Sequence, residues 1–169
     1  AGNVGVLKHS SNVPQCSLII EKLFQEAGFP EGAFQSFLIS NESIEKVLAI
    51  ECVQGVALTG SEKAGSSVAS IAGKHIRKSV LELGGSDPFI VLPDADIQAT
   101  AKVAAQSRMQ NAGQSCIAAK RFIVFKEAGK DFMEAFEQEV KAIRQGNPLE
   151  SGVTMGPMAR LDLAEDLEK

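Results

Sequence analysis

Short apolar runs alternate with segments of helical periodicity along the whole chain, and this alternation restricts the fold more than any other feature of the sequence. Asn3 to Lys8 reads as a strand, and Asn12 to Ala27 as a helix with Pro14 near its start and Gly28 as its stop. Phe34 to Ile39 is a second strand. Asn41 can cap a short helix carrying Ile44, Val47 and Leu48, and Val53 to Leu58 is a third strand of the buried type. Thr59-Gly60-Ser61 then turns the chain into a helix from Glu62 to Ala72, with Ala64, Val68 and Ile71 on one face, before a strand from Ile76 to Leu83. Strands separated in this way by helices imply a parallel sheet covered on both faces, that is, an α/β fold.

Beyond Gly84-Gly85 the pattern restarts. Pro88 to Leu92 is a strand, Ala95 to Gln110 a helix that Asp94 can cap, and Asn111 to Ser115 a loop. Lys120 to Lys126 is the next strand, followed by a helix from Gly129 to Arg144 in which Phe132, Phe136, Val140 and Ile143 form a stripe that belongs to the core. Gly146 to Pro157 is a loop, and Ala159 to Lys169 reads as a helix that the chain end cuts off. The sequence contains no internal repeat and no long charge run.

Composition excludes several classes of function. With 169 residues, 44% of them hydrophobic and 22% charged, the chain can bury a core. No apolar run approaches the roughly 18 residues needed to cross a bilayer, and the first residues lack the pattern of a secretion signal, so a membrane is not an expected partner. A net charge of -4 and the absence of Trp and Tyr argue against nucleic acid. Three cysteines without paired spacing suit a reducing, cytoplasmic compartment. Cys and His show none of the spacings that hold zinc, so no metal site is expected.

A few positions stand out chemically. Thr59-Gly60-Ser61 before a helix puts free N–H groups and the positive end of a helix dipole at a strand's C-terminal edge, where pyrophosphate binds. The G-x-G-x-x-G fingerprint is absent, and Gly-Ser also serves as an ordinary turn and cap. Lys8 ends the first strand, either as a nucleotide contact or as a solvated surface charge. Glu82 ends another strand before Leu83-Gly84-Gly85, and is either a general base or an exposed strand-end carboxylate. Cys116 follows the polar, glycine-bearing Asn111-Ala112-Gly113-Gln114-Ser115, where substrate can reach a thiol. Cys16, in the first helix, and Cys52, at the lip of a strand, read as buried structural cysteines. His9 and His75 read as partly exposed residues at strand ends.

Taken in order, Val6-Leu7-Lys8, Ala27-Gly28-Phe29-Pro30-Glu31-Gly32, Thr59-Gly60-Ser61, Leu81-Glu82-Leu83-Gly84-Gly85 and Asn111-Ala112-Gly113-Gln114-Ser115-Cys116 resemble the NAD(P)-dependent aldehyde dehydrogenases. Glu82 to Leu92 and Ala118-Ala119-Lys120-Arg121-Phe122-Ile123 are most similar to the bacterial succinate-semialdehyde dehydrogenase branch. The resemblance covers the whole chain but only about a third of a family subunit. It implies a parallel-sheet dinucleotide-binding domain over residues 1–85, followed by the start of an α/β catalytic domain over 86–169, with the active site in the cleft between them. It makes Cys116 the nucleophile, its N–H an oxyanion donor, and Glu82 the general base that activates water. It also implies NAD or NADP as cofactor, with Lys8 at the adenosine ribose, Gly60, Ser61 and Gly65 at the pyrophosphate, and Leu83 among the cofactor-binding positions. Ser11 stands where strictly NAD-using relatives often carry a ribose-binding Glu, so a 2′-phosphate meets no carboxylate there. The implied substrate is an aldehyde such as succinate semialdehyde, and the implied assembly is a homodimer or homotetramer. Two other readings are a nucleotide-binding module without turnover and a thiol redox module built on Cys116.

Overall fold

The structure is a computed structural model and describes residues 2–169. The chain runs β1 (Gly5–Leu7), α1 (Pro14–Glu26), β2 (Phe34–Ser36), a 3-10 turn (Asn41–Ser43), α2 (Ile44–Leu48), β3 (Gly55–Thr59), α3 (Glu62–Lys74) and β4 (Lys78–Glu82). It continues with β5 (Asp87–Val91), α4 (Ile97–Met109), a turn (Gln110–Gly113), β6 (Ala119–Val124), α5 (Lys126–Lys141) and α6 (Leu161–Leu167). Among the described residues the strands pair as β1–β2, β3–β4 and β5–β6, each pair parallel and each joined through a helix. The expected α/β alternation is therefore present, organised as three successive βαβ units. By packing, residues up to Thr59 together with Lys63–Glu82 form one compact unit, and Gly60–Glu62 with Leu83–Lys169 form a second.

In the first unit, Pro14 opens α1 and the helix closes in a paired-bond cap: Gly28 N–H donates to the Gln25 carbonyl at 3.0 Å and Phe29 N–H to the Phe24 carbonyl at 3.1 Å. Gly28 takes the left-handed φ of +83° that this cap requires. Phe29 returns over the helix, where Phe24 stacks on Phe34 of β2 at 4.5 Å and meets Phe29 edge-on at 5.1 Å. Buried Ser17 fastens α1 to β2, its carbonyl accepting from the Ser36 hydroxyl at 2.6 Å, while Glu21 accepts the Ser36 N–H at 2.8 Å. Arg77 donates to the carbonyls of Leu48 and Ile50, and Lys74 pairs with Glu45, so α2 is tied to the end of α3. The Lys74 ammonium, by hydrogen bond and by charge, holds the Glu45 carboxyl below its ordinary range.

The second unit contains the larger core. Val91, Ala101, Ala104, Ala128, Phe132 and Ala135 are buried together, with Phe89, Phe122 and Phe136 packed against them. Alanines on α4 and α5 let the two helices approach closely, and Phe132, 1% exposed, stacks on Phe136 at 5.6 Å. The expected Phe132-Phe136 stripe is thus part of the core.

Several sequence expectations are corrected. β3 is not a buried strand: its residues alternate between exposed and half-buried, as expected when only one face of a strand pair is covered. Asp96, not Asp94, caps α4; it lies in extended backbone with Oδ1 accepting the Ala99 N–H at 3.0 Å, while Pro93 and Asp94 sit in a turn closed by Ala95 N–H to the Leu92 carbonyl. Asn41 does not cap α2, because its Oδ1 accepts from the Lys8 ammonium at 2.7 Å. α5 begins at Lys126 rather than Gly129, since Ala128 N–H already donates to the Phe125 carbonyl. Ile76 does not start a strand. It ends α3 at a φ of +55°, with Ile76 N–H donating to the Gly73 carbonyl at 3.1 Å and Arg77 N–H to the Ala72 carbonyl at 2.8 Å, the same cap that Gly28 completes on α1. A β-branched side chain is strained there, and its 92% exposure returns little burial.

Among the described residues no helix is long and apolar enough to cross a membrane, and no group of three or more His, Cys, Asp or Glu is placed to hold a metal ion. Two substitutions test this account of the packing. Ile76→Gly should raise stability by about 0.5–1 kcal/mol by relieving the left-handed strain, seen as a higher urea midpoint. Phe132→Ala should lower it by about 3–5 kcal/mol, and a loss below about 1 kcal/mol would contradict the core described here.

Candidate active site

The segment between α4 and β6 bends through three consecutive residues in the left-handed region, Asn111 at 52°, Ala112 at 54° and Gly113 at 77°. This conformation costs about 1–2 kcal/mol wherever a side chain is present. Two cations hold it in place. Arg108, near the end of α4, donates to the Gly113 carbonyl and, at 2.9 Å, to the Ala119 carbonyl. Lys120, in β6, donates to the carbonyls of Ser115 at 3.2 Å, Cys116 at 2.8 Å and Ala118 at 3.2 Å. Gln114 adds a brace, its amide donating to the Asn111 carbonyl at 3.0 Å and its Oε1 accepting the Ala159 N–H at 3.1 Å.

Cys116 is exposed at the centre of this loop. The carbonyls around it are drawn to Lys120 and Arg108, and among the described residues its own N–H donates to no protein acceptor. An exposed thiol beside an unused backbone donor is suited to addition at a carbonyl carbon, with the N–H available to the oxygen. Cys16 and Cys52 do not have this surrounding, although both are exposed and not buried as expected. Cys16 lies on the first turn of α1 beside Ser17, which is the residue that turns inward, and Cys52 lies in the turn after α2. Exposure alone therefore does not single out Cys116; the construction of its loop does.

Glu82 is the last residue of β4, exposed and paired in register with Thr59, the last residue of β3. Thr59 leads directly into Gly60-Ser61 and α3, in which Gly65 is buried. Leu83, after β4, is half-buried. Lys8, half-buried just beyond β1, binds Asn41, and the Glu42 carboxyl nearby is held below its ordinary range by the Ser40 hydroxyl, its own backbone N–H and the Lys8 charge. Ser11 is exposed in the turn before α1. His9 and His75 are half-buried, and Nδ1 of the first and Nε2 of the second have no hydrogen-bond partner among the described residues; His75 lies at the end of α3 rather than at a strand end. Two surface concavities, one beside Asn111 and Met155 and one over Phe89 and Val103, are lined by neither Cys116 nor Glu82.

Arg108 and Lys120 are the site residues that the sequence reading passes over. The signal for Lys120 is its strand position: it shares the half-buried face of β6 with Phe122 and Val124, where a lysine is costly unless its charge is satisfied.

A profile described as "Aldehyde dehydrogenase family" matches residues 1–169. The chain belongs to the aldehyde dehydrogenase family. The family resemblance carried by the ordered motifs is thereby borne out. A probable succinate-semialdehyde dehydrogenase [NADP(+)] of Synechocystis sp. is 53% identical over 167 residues, which are 99% of this chain and 37% of that protein. A succinate-semialdehyde dehydrogenase [NADP(+)] of Mycobacterium avium is 48% identical, over 100% of this chain and 36% of its own length. Among solved structures, a succinic semialdehyde dehydrogenase from Streptococcus pyogenes in complex with NADP+ matches with a TM-score of 0.93 at 40% identity, covering 98% of this chain and 36% of that one. Gox0499 matches with a TM-score of 0.94 at 46% identity, with the same coverage. The chain thus spans little more than a third of the length of the relatives it matches.

Within this family member, the Cys116 loop depends on Gly113. A Cβ there would stand 2.8 Å from an Arg108 guanidinium nitrogen, on backbone at a φ of +77°. Gly113→Ala should therefore displace Arg108 and lower stability by about 1–3 kcal/mol, measured by denaturant unfolding; an unchanged midpoint would refute the clamp.

Proposed function

We propose that the protein oxidises an aldehyde with a distal carboxylate, succinate semialdehyde being the leading candidate, to the carboxylic acid with NADP, using Cys116 as nucleophile. The observation that carries the reading is the Cys116 loop, an exposed thiol whose own N–H is unused while the neighbouring carbonyls are held by cations. The relatives named succinate-semialdehyde dehydrogenase [NADP(+)] support the choice of substrate and cofactor.

Cys116 releases its thiol proton to solvent and Sγ adds to the aldehyde carbon, and the carbonyl π pair moves to the oxygen, where the Cys116 N–H receives the charge as the thiohemiacetal forms. Held at Gly60-Ser61, Gly65 and Lys8, NADP would supply the acceptor for the hydride of this carbon, and Cys116 would then carry a thioester. Glu82 then takes a proton from water, which attacks the thioester; the acid departs, and Glu82 passes the proton to the sulfur, which restores the thiol. For the cofactor, the chain offers the turn Thr59-Gly60-Ser61 at the head of the 13-residue helix α3, with Gly65 buried in its first turns, and Leu83 after the strand that pairs beside it. Lys8, oriented by Asn41, and Ser11, which carries no carboxylate, fit a phosphorylated ribose. In this reading residues 1–85 serve cofactor binding and residues 86–169 begin the catalytic part.

Three variants of the full-length protein test the assignment. Cys116→Ala should reduce NADPH formation at least about a thousandfold, and normal turnover would remove the nucleophile. Glu82→Gln should give one rapid equivalent of NADPH and then stall; an unaltered steady rate would remove the water-activating role. Ser11→Glu should raise the KM for NADP about tenfold, equal to about 1.4 kcal/mol of repulsion, with less effect on NAD.

A further inference from the structure

We infer that Lys120 is a positioning residue for the chemistry at Cys116: by binding the Ser115 and Cys116 carbonyls it orients and polarises the peptide N–H that meets the substrate oxyanion. The inference rests on the proposed role of Cys116 and deepens it. The Cys116 N–H belongs to the same planar unit as the Ser115 carbonyl, and in a trans peptide the two point in opposite directions. No cis peptide occurs among the described residues. With the Lys120 ammonium 3.2 Å from the Ser115 oxygen, and the Ala118 N–H also 3.2 Å from it, the Cys116 N–H is directed away from both.

The cation also acts on the strength of this donor. A positive charge at the carbonyl end of a peptide favours its charge-separated form and makes its N–H a stronger donor, as in any chain of polarised hydrogen bonds. The bond from Lys120 to the Cys116 oxygen, at 2.8 Å, fixes the following peptide, whose N–H belongs to Ile117, in the same manner. With the Ala118 carbonyl, all three protons of the ammonium are accounted for on this loop. Its stem lies on the half-buried face of β6 beside the register of Phe122 and Val124, which limits the positions the ammonium can take. Arg108 holds the flanking carbonyls of Gly113 and Ala119 from α4, so the loop keeps a second anchor when Lys120 is replaced.

The test compares Lys120→Met and Lys120→Arg in the full-length protein, in aldehyde oxidation and in alkylation of Cys116 by iodoacetamide, followed by peptide mapping. Alkylation occurs at a saturated carbon and builds no oxyanion, so it reports thiol access and loop integrity without drawing on the N–H. Lys120→Met should lower kcat about tenfold, less than the hundredfold or more typical of deleting a donor outright. It should leave the KM for NADP and the alkylation rate within about twofold, and Lys120→Arg should recover most of the loss. If Lys120→Met does not fold, Lys120→Gln, neutral but still a donor, carries the same comparison. An unaltered kcat, or an alkylation rate that falls in step with kcat, would overturn the inference while leaving Cys116 as nucleophile. A wild-type protein silent with every aldehyde would remove the proposed function and this inference together.

Discussion

Two strands that run parallel cannot be joined by a tight turn, so each of the three pairs here needs a helix between its members, α1, α3 and α4 in turn. That requirement determines where the chemically useful segments stand. Lys8 follows β1, and Glu82 ends β4 in register with Thr59, so both occupy C-terminal strand edges. Cys116 occupies the other kind of position. It lies just before β6, whose first residue, Ala119, pairs with Asp87 at the start of β5, and it is held by side chains from α4 and β6 that converge on one loop.

The loop illustrates how a locally unfavourable backbone persists. Left-handed conformations at Asn111 and Ala112 cost about 1–2 kcal/mol each, and hydrogen bonds from charged donors contribute about 1.5–3 kcal/mol each. Arg108 and Lys120 together supply five such bonds to Gly113, Ser115, Cys116, Ala118 and Ala119. The balance favours the bent form, in which Cys116 is exposed and, among the described residues, its N–H has no protein acceptor. Ile76 shows the opposite case, a strained cap with little compensation, since its side chain is exposed and α3 would end as well on glycine.

Local chemistry made much of this readable from sequence. Pro14 and Gly28 bracket α1 because Pro14 lacks an N–H where the first turn of a helix has no acceptor for it and Gly28 accepts positive φ. The spacing of Phe132 and Phe136 marks the core for the same reason that helices have a period of 3.6. The family is legible because its motifs fall in order, and the match over residues 1–169 agrees. Features set by longer-range contacts were not legible. Asn41 is diverted by Lys8, and the roles of Arg108 and Lys120 exist only once β6 lies beside α4, whereas Asp96 takes the cap through a local turn at Pro93 and Asp94 that helical spacing does not mark. Cys16 is exposed because Ser17, one residue on, takes the inward position of α1, and Cys52 is exposed because it lies in the turn after α2 rather than at the lip of a strand.

The central claim is that the Cys116 sulfur carries the acyl group during turnover. It is tested most directly by mixing the full-length protein with succinate semialdehyde and NADP, quenching in acid within the first turnover, and mapping the peptides by mass spectrometry. The account predicts a succinyl thioester on the peptide containing Cys116 and on neither Cys16 nor Cys52. An acyl group on another residue, or NADPH formed with no thioester on Cys116 at any time point, would contradict it.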